Sequence, residues 1–318
     1  MSQPKVSVCC LSYNHEKYIR QCLDSIVMQQ TIFPIEVLVH DDASTDSSQQ
    51  IILEYAKKYP DIVKPILQTE NQYVKGKGIL GPYLLPHCKG EYVAICECDD
   101  YWTDPLKLQK QIDILEAHHE YIFCCHRYTI YNEADNSFAN DYASEFFKDN
   151  QDIVVTQELQ SRTWLTKVLT MVMHTDMFKQ ASLEAERKYG NGGLDTYIFY
   201  ELLKLGNGIA LNQFMGMYRQ QNNGIWSQLD QTQKAKSNYL VFQTLYEQNK
   251  DDKYVQHALQ QNAIHYLRLL SCWNSKNRKE FLHIYGYMDS TVLKTNTILS
   301  FILPFGLIQK TKKIFHKC

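Results

Sequence analysis

Glu97, Asp99 and Asp100 crowd together at the end of the apolar run "YVAIC", and Tyr101 and Trp102 follow at once. Like charges this close repel one another and give up solvation, a cost that a bound cation or a proton removes. Carboxylates one residue apart at a strand end present oxygen ligands to one pocket. Hard cations such as Mg²⁺ and Mn²⁺ are held by one or two carboxylates plus the phosphates of a substrate. A metal in that place would neutralise a diphosphate and stabilise it as a leaving group. The competing reading is a solvated acidic turn that caps a strand.

Two further strand ends are polar. Val6 to Leu11 is a short apolar run that ends in Ser12-Tyr13-Asn14, and Ile35 to Val39 is a β-branched run that ends in Asp41-Asp42. Between them, Tyr18, Ile19, Cys22, Leu23, Ile26 and Val27 form a helical stripe over His15 to Met28. A second helix follows the Asp pair, with Asp46 as N-cap and Gln49 completing a variant of the capping box. Val63 to Leu67 gives a third strand and Tyr92 to Cys96 a fourth. Strands separated by helices imply right-handed crossovers and a mostly parallel sheet. Ligands of such sheets bind beyond the carboxyl ends of the strands, where these acids stand.

Further along, Phe123 to Tyr131 reads as a strand, Asn132 to Asp152 as a polar excursion, and Leu194 to Leu205 as a helix. Helical periodicity dominates from about Asp230, so a boundary is placed at 229, dividing a domain 1–229 from a helical region 230–318. The chain has 318 residues, 44% hydrophobic and 21% charged, as in an ordinary globular protein. A formal charge of −2 offers no global basic field for nucleic acid. The ten cysteines sit largely in or beside apolar runs, as small buried hydrophobes of a reducing compartment do, and Cys96-Glu97-Cys98 lacks the spacing of a zinc site. No secretory leader and no membrane span is expected, so the protein is placed in the cytoplasm.

The blocks "VSVCCLSYNHEKYIRQCLDSI", "IEVLVHDDASTDSS", "GEYVAICECDDYWTDP" and "GGLDTYIFYELLKLGNG", with "YRQQNNGIWS", resemble the family 2 glycosyltransferases in order and spacing. The resemblance implies an α/β GT-A fold, a Rossmann-like mixed and mostly parallel sheet flanked by helices, here with a C-terminal helical extension. It also implies inverting transfer from a nucleotide diphosphate sugar, usually UDP-linked, to a saccharide or lipid-linked saccharide hydroxyl in surface polysaccharide synthesis. Ser12, Tyr13, Asn14 and Glu16 match the loop that meets the nucleotide. Asp41 and Asp42 match the acidic pair, one of which typically holds the base or ribose, and Asn71 matches an Asn near the nucleotide. Glu97-Cys98-Asp99 occupies the family's DxD motif: Glu97 and Cys98 also border the nucleotide sugar, while Asp99, with Glu97 and Asp100, would hold Mn²⁺ or Mg²⁺. Asp195 matches the base on the acceptor hydroxyl. Leu11 replaces a common Pro, Glu97 the first Asp of DxD, and Gly-Gly-Leu-Asp the usual Glu-Asp.

Trp102 and Trp226 can line an acceptor pocket by stacking on sugar faces, or pack in the core. Arg219 can reach a phosphate or a surface carboxylate. Ile298 to Ile308 joins an apolar stretch to Lys310, Lys312, Lys313 and Lys317, so the tail 296–318 suits either an anionic inner membrane surface or docking on the domain. Two other functions remain open on sequence: a nucleotidylyltransferase, although "CLSYNHEKY" lacks its Gly-rich loop, and a catalytically impaired relative serving as a membrane-associated assembly partner.

Overall fold

The computed structural model describes residues 3–75, 78–147, 151–163, 165, 167–190, 194–221, 224, 226–270 and 275–285. The four apolar runs become parallel strands: β1 (Val6–Ser12), β2 (Ile35–Asp41), β3 (Val63–Leu67) and β4 (Tyr92–Glu97). The side chains of β1, β2 and β4 are largely buried, as expected of strands covered on both faces, while β3, at the edge, buries only Val63 fully. Helices α1 (Ile19–Val27) and α2 (Ser48–Lys58) connect them. The pairing register aligns the strand ends. Ser12 pairs with Asp41 and Leu11 with Glu97, so three polar strand ends finish level on one edge.

The remaining elements of the sheet are β5 (Tyr101–Trp102), β6 (Tyr121–Asn132), β7 (Ser137–Asn140), β8 (Ile153–Val155), β9 (Val172–His174) and β10 (Asn207–Gln220). The order is β3-β2-β1-β4-β9-β6-β10-β5, with β7 on β6 and β8 on β10. The sheet is parallel from β3 to β4, where the acids stand, and mixed beyond it: β9 is antiparallel to both β4 and β6, and β10 is parallel to β6. Helices α3 (Lys107–Ala117), α4 (Gln157–Arg162), α5 (Thr175–Tyr189) and α6 (Leu194–Leu205) complete this part.

The chain divides between Asn222 and Asn223 into two compact units. The second contains α7 (Gln231–Gln248), α8 (Lys253–Leu269) and α9 (Ser275–Tyr285), packed around Tyr239, Leu259, Ala263, Tyr266, Leu267 and Ile284. A complete capping box, Asp230 with Gln233, starts α7. Among the described residues no helix is long and apolar enough to cross a membrane, and the tail 296–318 lies outside them.

Two helix starts differ from expectation. The stripe over His15 to Met28 becomes helix only from Ile19, because the Tyr18 and Ile19 N–H groups both close a turn on the His15 carbonyl. At α2, Asp46 accepts the Ser48 N–H at 2.9 Å, but the Gln49 amide turns away to Asp41, so no box forms. Among the described residues eight cysteines are buried and form no disulfide; Cys22 Sγ lies 3.7 Å from Cys96 Sγ, between α1 and the sheet.

One buried charge supports the segment after the acids. Lys107 is wholly buried at the start of α3, with its Nζ 2.7 Å from Gln111 Oε1 and 4.0 Å from the Trp102 ring centre. Burial pushes its pKa down to about 7. In the unfolded chain Lys107 titrates near 10.5, so between these values the unfolded state binds more protons and stability rises with pH. The cost of burying the ammonium is complete below about 7 and gone above 10.5. Urea unfolding of wild type and Lys107→Met from pH 7 to 10 is expected to show wild type gaining on the variant by up to ~1.4 kcal/mol per pH unit. Parallel curves would contradict this.

Candidate active site

The loops after β1 and β2 are laced together. Asn14, with a left-handed φ of 56°, accepts the Thr45 N–H at 2.8 Å, and its own N–H donates to Ser44 Oγ at 2.8 Å. Ala43 is also left-handed, at φ 61°. Non-glycine residues adopt this conformation only where surrounding contacts enforce it. Asp41 accepts the Ser44 N–H, the Ser44 hydroxyl and the Gln49 amide. Asp42 accepts the backbone N–H groups of Gln72 at 2.8 Å and Tyr73 at 3.0 Å. Both aspartates are buried, and each holds a loop in place. Glu16 accepts the Ser47 N–H at the start of α2, and Asn71 closes a local turn on the Val74 N–H. The Tyr13 ring is exposed, while the Ser12 hydroxyl is buried without a partner among the described residues.

Beyond β4 the chain alternates direction. Glu97 and Asp99 are half-buried on one side, and Cys98 is fully buried on the other, its thiol bonded to those of Cys10 and Cys22. The Cys98 side chain therefore faces the core, which corrects its expected place against the nucleotide sugar. Asp100 is buried. Its Oδ1 accepts the Arg219 N–H at 2.8 Å, and its Oδ2 has no partner among the described residues. Gln221 donates to Asp99 Oδ2 at 2.7 Å.

The electrostatics show how little of this charge is answered. Burial first, then Asp99, pushes the Glu97 carboxyl up to about 7; Asp195 adds to the effect and Lys167 opposes it. Burial, then Asp99 and Glu97, holds Asp100 well above the usual carboxylate range. Burial pushes the pKa of His15 down, against the pull of Asp99, Asp46 and Asp41, and its Nδ1 is buried without a partner among the described residues. His15 thus stands between the end of β2 and the end of β4.

Each nitrogen of the Arg219 guanidinium has a partner. Its Nε donates to the Asp99 carbonyl at 2.9 Å and its guanidinium reaches Gln21 and Glu133, while Tyr18, Tyr101 and Tyr131 surround it. It anchors the acidic turn from behind, and of the two partners expected for it the carboxylate is present, in Glu133 at 3.4 Å. Of the two readings open for Trp102, the core is the one found. It is 2% exposed, pairs with Gly216 through β5 and β10, and donates its indole N–H to the Leu169 carbonyl at 2.9 Å, so it is core. Trp226 is exposed and belongs to the second unit. Asp195 lies in the first turn of α6, exposed, with one oxygen accepting the Thr196 N–H at 2.8 Å.

The residues present suit a divalent cation. Glu97 and Asp99 offer carboxylate oxygens, and Asp100 Oδ2 is a buried oxygen without a donor among the described residues. Among those residues no three acid, His or Cys side chains form a complete cage, so a hard cation here draws its other ligands from substrate or water. Sequence reading missed His15, Lys167 and Gln221. His15 and Gln221 lay inside the blocks "SYNHEKY" and "YRQQ", whereas Lys167 lay in a stretch with no periodicity to mark it.

Replacing Arg219 with Met removes the anchor and leaves the Asp99 carbonyl and Glu133 without their guanidinium partner. A loss of about 2–4 kcal/mol in urea unfolding is expected, and Arg219→Lys should not restore it because an ammonium cannot reproduce the fork. Full restoration by Lys would contradict the geometry.

The profile described as glycosyl transferase family 2 matches residues 7–185, which include all three level strand ends. An uncharacterised protein of Mycobacterium tuberculosis, Rv1520, is 48% identical over 123 residues, covering 38% of this chain and 34% of that protein. This chain therefore spans about a third of the length of the curated relatives it matches at that identity. The putative teichuronic acid biosynthesis glycosyltransferase TuaG of Bacillus subtilis is 25% identical over 245 residues, 76% of this chain and 89% of that one. Staphylococcus aureus TarS 1–349, solved in complex with UDP-GlcNAc, aligns with a TM-score of 0.64 at 17% identity, covering 97% of this chain and 91% of that one. At that identity the likeness is one of fold.

Proposed function

This chain belongs to glycosyl transferase family 2, and from that premise we propose that it is an inverting, metal-dependent transferase using a nucleoside diphosphate sugar. The donor is taken to be UDP-linked and the acceptor a hydroxyl of a saccharide or lipid-linked saccharide in surface polysaccharide synthesis. The acid cluster at the end of β4 carries this function, because Glu97, Asp99 and Asp100 stand level with Ser12 and Asp41 and their charge is largely unanswered. The UDP-GlcNAc complex of TarS supports a UDP donor, and the teichuronic acid assignment of TuaG supports a polymer acceptor.

In the proposed reaction Asp195 accepts the proton of the acceptor hydroxyl as that oxygen attacks the anomeric carbon. The bond from that carbon to the diphosphate oxygen breaks, and its electron pair leaves with the nucleoside diphosphate. Attack from the face opposite the leaving group turns an α-linked donor into a β-linked product. Exposure suits Asp195 to meet an incoming hydroxyl, and its tie to the Thr196 N–H fixes the carboxylate plane. Gln221 orients Asp99, while Asn14, Asp41 and Asp42 hold the loops around the exposed Tyr13 ring. A Mn²⁺ or Mg²⁺ held by Asp99 with Glu97 or Asp100 would neutralise the diphosphate and ease its departure.

The tail 296–318, with its apolar stretch and lysines, is proposed to bring the enzyme to an anionic membrane surface where a lipid-linked acceptor resides. Full-length protein is expected to float with anionic vesicles and a chain ending at Thr295 to stay behind. Equal recovery would contradict membrane attachment. For the chemistry, release of nucleoside diphosphate is measured with Mn²⁺ present. Asp195→Asn should lower transfer by about 10²–10⁴-fold while keeping nucleotide affinity, and Asp99→Asn should abolish the metal-stimulated rate. A near-normal rate for Asp195→Asn would assign the base elsewhere.

A further inference from the structure

Lys167 is a half-buried cation that the transfer reaction leaves unused. Its backbone is fixed, because its carbonyl accepts the Thr170 N–H at 2.8 Å and the Thr170 hydroxyl at 2.7 Å, closing the 3₁₀ turn Val168–Thr170. That turn is held in the core from two sides. The Trp102 indole donates to the Leu169 carbonyl, and the Gln111 amide donates to the Thr170 carbonyl at 2.9 Å. The Lys167 Nζ lies 4.2 Å from the centre of the Tyr218 ring, and Tyr128 meets that ring edge-on at 6.2 Å.

Within this rigid setting the ammonium acts on Glu97 and Asp100. Yet among the described residues it donates no hydrogen bond and lies within ion-pair distance of no carboxylate. A cation over an aromatic face gains less than it loses by leaving water, so a half-buried ammonium in this setting is poised for an anion from outside. The chain on either side of it indicates which anion. Arg219, next to Tyr218 in β10, binds Asp100 through its N–H and the Asp99 carbonyl through its Nε, and Trp102, two residues past Asp100, binds the turn that Lys167 opens. Lys167 is therefore set beside the acidic turn, and the charge that transfer releases there falls on the phosphate that carried the sugar.

Resting on the donor assignment above, we propose that Lys167 binds the distal phosphate of the nucleoside diphosphate. When the bond between the anomeric carbon and the phosphate oxygen breaks, its electron pair stays on that oxygen. The ammonium meets the new charge with a hydrogen bond and keeps its own protons. A divalent cation at Asp99 and Lys167 would then hold the leaving group from different sides.

Calorimetric titration of wild type, Lys167→Met and Lys167→Arg with UDP, GDP and dTDP, and with the matching monophosphates, all in Mg²⁺, tests this. For the diphosphate that wild type binds, Lys167→Met is expected to weaken affinity by about tenfold or more, and monophosphate affinity to change by less than about twofold. Lys167→Arg should recover most of the loss. Equal losses for mono- and diphosphate would mean that Lys167 only supports the cleft, and unchanged diphosphate affinity would mean that it does not touch the ligand. Either result overturns the proposal. A wild type that binds none of the three diphosphates refutes the donor assignment itself, and the role of Lys167 with it.

Discussion

Glu97, Asp99 and Asp100 leave the sheet at the end of β4 so close together that Asp99 helps to raise the pKa of both Glu97 and Asp100, and the protein answers only part of their charge. Gln221 meets one oxygen of Asp99, and the Arg219 backbone meets one oxygen of Asp100. The Arg219 guanidinium, the strongest cation nearby, is committed to the Asp99 carbonyl, Gln21 and Glu133 and not to the clustered carboxylates. The turn is thus held in position without being neutralised. Such an arrangement is unfavourable alone and becomes favourable when a cation arrives with a diphosphate. The level register of β1, β2 and β4 is what places Ser12 and Asp41 beside it.

Much of this was legible in the sequence, for a physical reason. Parallel strands covered on both faces are written as near-continuous apolar runs, so β1, β2 and β4 could be read directly, whereas the edge strand β3 carries Lys64 and an exposed Pro65. The helix Leu194–Leu205 could be read as well, and its first turn carries Asp195. What the sequence misplaced or left open has one common source, which is that a run of residue types does not say which way each side chain points. Cys98 sits between two acids but, by strand alternation, points into the core. Trp102 follows the acids but is buried by a two-residue strand paired with β10, a partner far along the chain. Arg219 comes from that same distant strand, and nothing local marks it as an anchor for Asp99. Lys167 is fixed by a short 3₁₀ turn and by tertiary bonds, none of which leaves a periodic trace.

Family membership and site geometry converge on the same part of the chain. The matched residues 7–185 contain the strand ends and the acid cluster, while Asp195, Arg219 and Gln221 lie beyond them in α6 and around the end of β10. The part proposed to hold the donor is thus the more recognisable half. The later segment supplies the carboxylate assigned to the acceptor hydroxyl and the groups that hold Asp99.

The central claim is that the acid cluster becomes a donor site only with a divalent cation. It is tested most directly by thermal unfolding against a panel of nucleotide sugars, with and without Mn²⁺, for wild type and Asp99→Asn. The account predicts that one nucleoside diphosphate sugar raises the wild-type Tm only when Mn²⁺ is present, and that Asp99→Asn loses this shift. A shift of equal size without the metal, or one retained by Asp99→Asn, would contradict it.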